Sequence, residues 1–159
     1  VWPEAVKAIL MATAIHNIEG NAELSEKDGA GGLYMPYADD VARRHLYYRG
    51  WGASSYSCST STYIYKNIRL LPNRRTRIVI AWDQNPSYSS YYTQPSADLD
   101  MHLYAPNGAY VSFSGSSGFD DTFEIADFTT PNQSGIYRLR IRKYRCSLTP
   151  RWLGWAWFQ

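Results

Sequence analysis

Asp98 and Asp100 flank Leu99. Alternate side chains of a strand share a face, so these two carboxylates would project together. Asp120 and Asp121 lie in a Gly/Ser-rich stretch, and Asp83 ends an apolar run just before a long polar one. Such a set suits a hard cation such as calcium, which takes about six to eight oxygen ligands. The alternative is that these are solvated edge carboxylates, or ones that accept from loop N–H groups. No EF-hand spacing is present. Cys58 and Cys146 form no CxxC pair and are too few for a zinc site. Either they pair, closing a long loop and arguing for secretion, or they are two buried thiols.

Arg138, Arg140 and Arg142 fall on one face of an expected strand, with Arg74, Arg75 and Arg77 elsewhere. They could dock an acidic partner, or be solvated cations whose stems cover aromatic rings. Trp155 and Trp157 share a strand face opposite Trp152 and Phe158. Together with Tyr88, Tyr91 and Tyr92, the tryptophans could make an aromatic binding platform. Most such rings in a small sandwich are instead core. One of the two tryptophan faces must be partly exposed, or be covered by another element.

The elements that position these residues change near residue 50. Residues 3–14 read as a helix, with Pro3 at its first position, Glu4 at the positive end of its dipole, and a stripe of Val6, Ile9, Leu10 and Thr13. Asp28-Gly29-Ala30-Gly31-Gly32 marks a turn, and Leu33 to His45 reads as a second helix. From about residue 55 the period becomes two. Strands are expected at 63–70, 76–82, 98–104, 110–114, 122–128, 137–144 and 152–158, with turns at Pro72-Asn73, Pro106-Asn107-Gly108 and Ser134-Gly135. Residues 84–97 read as a long surface loop. Short strands with turns between them make the fold mainly β: an antiparallel, jelly-roll-like β-sandwich preceded by a short two-helix segment. The segment spans 1–50 and the sandwich 51–159.

The chain has 159 residues, 45% hydrophobic and 16% aromatic, with a net charge of +2. That is enough chain to bury a core, and too few charges and too many rings for disorder. The near-balanced charge argues against nucleic acid as a partner. No apolar run approaches the ~20 residues of a transmembrane helix, so membrane insertion is not expected. Starting at Val1-Trp2-Pro3 without an initiator methionine, the chain reads as a piece of a longer or processed protein.

Two sets of motifs resemble one family of proteins. Pro3-Glu4-Ala5-Val6-Lys7-Ala8-Ile9-Leu10-Met11-Ala12-Thr13-Ala14, followed by Asp28-Gly29-Ala30-Gly31-Gly32-Leu33 and Ala38-Asp39-Asp40-Val41-Ala42, resembles the C-terminal end of a subtilisin-like serine peptidase domain. Residues 60–158 resemble the non-catalytic β-sandwich that follows the catalytic domain in some secreted subtilases. That likeness rests on Arg77 to Asp83, on Ala97-Asp98-Leu99-Asp100-Met101-His102-Leu103-Tyr104-Ala105-Pro106-Asn107-Gly108, and on Phe123 to Ile141. The second stretch is similar to the family pattern N-D-L-D-L-x-[VL]-x-x-P-N-G, with Ala97 in place of the usual Asn. The Gly-Thr-Ser-x-Ala, His-Gly-Thr and catalytic-Asp motifs are missing, and His16, His45 and His102 stand in none of the family's catalytic contexts. A serine peptidase needs nucleophile, base, carboxylate and oxyanion hole together.

The resemblance therefore implies a non-catalytic C-terminal accessory domain of a secreted subtilase, inactive alone. Its partners would be the catalytic domain in cis and a protein substrate or cell-surface polymer. Calcium is the one cofactor implied, since related secreted sandwiches often bind it. The alternative is a carbohydrate- or surface-binding module unrelated to proteolysis. The helical segment, deprived of its protease neighbours, is expected to pack on the sandwich or on a neighbouring molecule.

Overall fold

The computed structural model describes residues 2–15, 30–43, 48–59, 61–83, 96–114, 121–147 and 151–159. Two helices come first, α1 (Pro3–Ala12) and α2 (Met35–Arg43). Eight strands follow: β1 (Arg49–Tyr56), β2 (Tyr63–Leu70), β3 (Arg75–Trp82), β4 (Ala97–Tyr104), β5 (Tyr110–Ser114), β6 (Phe123–Thr129), β7 (Gly135–Cys146) and β8 (Arg151–Phe158). They form two four-stranded antiparallel sheets, ordered β1-β8-β3-β6 and β2-β7-β4-β5. The first strand pairs with the last, the second with the seventh, the third with the sixth and the fourth with the fifth. A chain folded back on itself at the β4–β5 hairpin and then rolled up gives this order, which is the expected jelly-roll sandwich. No described helix is long and apolar enough to cross a membrane.

The hairpin turn forms where Asn-Gly was expected. Gly108 takes φ +84°, its N–H donates to the Ala105 carbonyl at 2.8 Å, and Asn107 Oδ1 accepts from the Ala109 N–H. Between the sheets lies the main core. Ile78 and Ile80 from β3 meet Leu99, Met101 and Leu103 from β4 and Leu139 and Ile141 from β7, all essentially solvent-free. A disulfide joins Cys58, just past β1, to Cys146 at the end of β7, settling the open question of these two thiols.

A second, smaller core lies outside the first sheet. There Ala8, Ile9 and Ala12 of α1 and Ala38 and Val41 of α2 pack on Val79, Ala81, Ile125 and Ala156. The face of α1 turned inward is thus not the Val6–Ile9–Leu10–Thr13 stripe. Ile9 and Thr13 are buried, but Val6 is exposed, and Ile9 shares the contact with Ala5, Ala8 and Ala12. Small residues win because they let the helix approach the sheet. At Gly154 a Cβ would stand 2.3 Å from the Glu4 carbonyl carbon and the Ala5 nitrogen, so no side chain fits between β8 and α1.

Strand β1 was not expected as such. In its Arg-Gly-Trp-Gly opening both glycines are cross-strand partners of tryptophans: Gly50 of Trp157 and Gly52 of Trp155. A Cβ would meet the Trp157 ring at 2.6 Å at the first position and the Trp155 ring at 2.2 Å at the second. The glycines are seats for indoles, not breaks in the chain.

Candidate functional site

The two sheets differ on their outer faces. That of β2-β7-β4-β5 is open, and the register sets its side chains in rows. Tyr63, Arg142 and Asp100 stand abreast, then Tyr65, Arg140 and His102, then Asn67, Arg138, Tyr104 and Tyr110. Along β7 the alternation is clean, with Tyr137, Leu139, Ile141 and Lys143 inward and Ile136, Arg138, Arg142 and Tyr144 exposed outward. Arg138 and Arg140 therefore do share one face, as expected, and on the middle strand of it.

The rows form a cation–aromatic lattice. The Arg140 guanidinium lies 4.9 Å from the Tyr63 ring centroid and 4.8 Å from that of Tyr104, and Arg142 lies 5.1 Å from that of Tyr144. Tyr104 meets Tyr110 edge-on at 5.9 Å. Between the rows is an open cavity of about 380 Å³, lined by Tyr65, Asn67, Tyr104, Ile136, Arg138 and Arg140. Sequence reasoning named the two arginines but not their aromatic neighbours. The signal was the shared parity of Tyr63, Tyr65 and Asn67 in β2, which acquires meaning only once the register is known.

The described aspartates do not form one group. Asp98 and Asp100 do lie on the outer side of β4, next to a register shift between Asp98 and Leu99. Burial, and then the neighbouring Asp100, push the Asp98 carboxyl up, while Arg145 pulls it down. Burial also pushes Asp100 up, against Arg142 and His102. His102 is pushed down by burial first and by Arg140 next. Asp83 instead accepts the Trp152 N–H at 2.9 Å at the end of the other sheet. Asp121 lies near Lys7 of α1, and Asp120 is outside the described residues. No group of three or more His, Cys, Asp or Glu side chains among the described residues could hold a metal ion. Asp98 and Asp100 have guanidinium neighbours in Arg145 and Arg142.

Trp155 and Trp157 face inward. Trp157 is a core residue, and Trp155 packs against that core with Lys66 Nζ 4.2 Å from its ring. Neither supplies a free platform, and Tyr88, Tyr91 and Tyr92 are outside the described residues. The opposite side of β8 meets the helical segment: Trp152 stacks on Trp2 at 4.0 Å, and Phe158 on Tyr37 at 4.8 Å.

Arg77 is not a surface cation either. It is 4% exposed, and its Nη1 donates to the carbonyls of Met11 (3.0 Å), Ala14 (3.4 Å) and Ala30 (2.9 Å). Carbonyls at the end of a helix have no partner within it and gather partial negative charge, so a buried cation is apt there. Its Nε donates to Asp127 Oδ2 at 3.3 Å, which compensates the charge.

No protein-family model matches the chain, and no curated protein matches it. Among solved structures, the pre-peptidase C-terminal domain of a collagenase from Bacillus anthracis is similar to it, with 12% identity and a TM-score of 0.46 over 69% of this chain and 89% of that one. PliG, a periplasmic inhibitor of g-type lysozyme from Aeromonas hydrophila, also matches, with 12% identity and a TM-score of 0.36 over 69% of this chain and 86% of the inhibitor. Likenesses this distant decide neither a family nor an activity for the chain.

Proposed function

We propose that this chain is a non-catalytic accessory β-sandwich at the C-terminal side of a secreted subtilisin-like serine peptidase, and that residues 2–42 are the end of the catalytic domain. The observation that carries this reading is the seat of α1. The segment that resembles the end of the protease is fitted to the segment that resembles the accessory sandwich, with a helix backbone so close to β8 that only glycine is accommodated at position 154. A helix held in this way, and capped at its end by Arg77, makes the sandwich a brace.

Two further features support it. Exposed large apolar residues gather on the helical segment, among them Trp2, Val6, Leu33, Tyr34 and Met35, and an apolar groove lined by Pro3, Val6, Leu10 and Met11 runs along α1. A catalytic domain in cis would cover that surface. The Cys58–Cys146 disulfide suits an extracellular location.

The test is the coding sequence upstream of Val1. It should carry a Gly-Thr-Ser-x-Ala motif within about thirty residues, one long helix at ~1.5 Å per residue. An unrelated upstream domain would refute the reading. In the intact protein, Gly154→Val should shorten the half-life of peptidase activity at elevated temperature, with little effect on initial kcat/KM.

A further inference from the structure

We propose that the cavity on the open face of β2-β7-β4-β5 binds a carboxylate side chain of an acidic peptide, with the neighbouring peptide residue lying against Tyr65 and Ile136. At about 380 Å³ it falls at the small end of the ~300–1,000 Å³ found for ligand sites. Arg138 and Arg140, on the middle strand, lie between Tyr65 on β2 and Tyr104 on β4.

Charge selects the ligand. Two guanidiniums and no carboxylate line the cavity. Among the described residues neither Arg138 nor Arg140 makes an ion pair, whereas Arg142 beside them lies 4.0 Å from Asp100. The Arg140 guanidinium is held between the rings of Tyr63 and Tyr104, 4.9 and 4.8 Å from their centroids. Its Nε is buried and has no hydrogen-bond partner among the described residues. A planar cation fixed by stacking loses little freedom on meeting a carboxylate, and its fork of donors matches the two oxygens. An unsatisfied buried donor also favours any ligand that brings an acceptor.

The apolar part of the lining selects a peptide over an acidic sugar. A sugar needs acceptors for its hydroxyls, and this cavity offers only phenol oxygens, backbone carbonyls and the Asn67 amide. A peptide needs a cation for its acidic side chain and an apolar surface for the next residue. Ile136 and Tyr65, 58% and 53% exposed, supply that surface. The cavity stands without the accessory-domain reading; only its assignment to docking of a peptidase substrate rests on that reading.

Fluorescence anisotropy of the full chain with a labelled, end-capped peptide of alternating glutamate and leucine tests this. Binding should weaken by about tenfold or more when glutamate is replaced by glutamine, and equally in Arg138→Gln or Arg140→Gln. Arg69→Gln, on the same face but outside the cavity lining, should bind as the parent does. Polygalacturonate at equal carboxylate concentration should not displace the peptide. The proposal is overturned by absence of binding, by indifference to the glutamine peptide, or by an Arg69→Gln loss as large as that of the cavity variants. Displacement by polygalacturonate would overturn it in favour of a sugar site. Arg138→Gln and Arg140→Gln are compared only where their thermal unfolding matches the parent's, and at least one must match. Failure here together with a Gly-Thr-Ser-x-Ala motif upstream would remove this site and leave the accessory-domain reading standing.

Discussion

The two sheets of the sandwich share one core and part company on their outer faces. On β1-β8-β3-β6 small or apolar outward residues (Gly154, Ala156, Val79, Ala81) lie under α1, and the Arg77–Asp127 pair at its end is buried. On β2-β7-β4-β5 they are Tyr65, Asn67, Arg138, Arg140 and Tyr104, with nothing over them among the described residues. The strands record the difference. All of β3 after Arg75 is buried, because it has a core on each side, whereas β7 alternates. One fold thus supplies a sealed face, the proposed brace, and a bare face, the proposed binding site. Side-chain size and charge, not strand order, decide which is which.

Attacking the sealed face should cost most. Arg77→Ala leaves Asp127 with Arg75 but takes the donor from the buried carbonyls of Met11, Ala14 and Ala30, a loss of about 3 kcal/mol or more. Urea unfolding measures it. Gly154→Val forces atoms into the Glu4–Ala5 backbone and should cost about 1–3 kcal/mol by the same measurement. If either change is nearly silent, the helix is not seated as described and the contrast between the faces disappears.

The bare face should tolerate change. Burial, and then the negative Asp100, raise the Asp98 carboxyl above its ordinary value. The folded chain holds that proton more tightly than the unfolded chain, so this group's contribution to stability falls as pH rises from the ordinary carboxylate range through the raised value. Asp98→Asn should therefore unfold at a higher Tm than the parent at neutral pH, with the gap closing as pH is lowered below that range. A lower Tm at neutral pH would mean that Asp98 is an essential partner for Arg145. Ile136→Thr, on the open side of β7, should change stability by no more than about 0.5 kcal/mol. A larger loss would show that this face is covered.

Much of this was legible in the residues. The bounds of β2 and β5 fall at 63–70 and 110–114 as the period-two pattern sets them, and Leu99, Met101 and Leu103 point inward as their alternation requires. What was hidden depends on partners distant in sequence. Gly50 and Gly52 carry no strand signal until Trp157 and Trp155 are placed across from them. The buried face of α1 is its alanine face, because closeness to the sheet outweighs side-chain size, and hydrophobicity alone points to Val6 and Leu10 instead. Arg77 looks like its neighbours Arg74 and Arg75 until the carbonyls at the end of α1 surround it. At the candidate site the arginines were visible from strand parity, but the cavity needs Tyr65 and Tyr104, which only the β2-β7-β4 register brings alongside.

The brace itself can be tested by native-state hydrogen exchange of the α1 amides, residues 6–12. A helix of this length is marginal by itself in water, so its protection must come from the sheet beneath it. The account predicts that these amides exchange as slowly as those of β8, and that Gly154→Val releases α1 while the strands of the second sheet stay protected. Fast exchange of α1 in the parent chain, with the sandwich still protected, would contradict it.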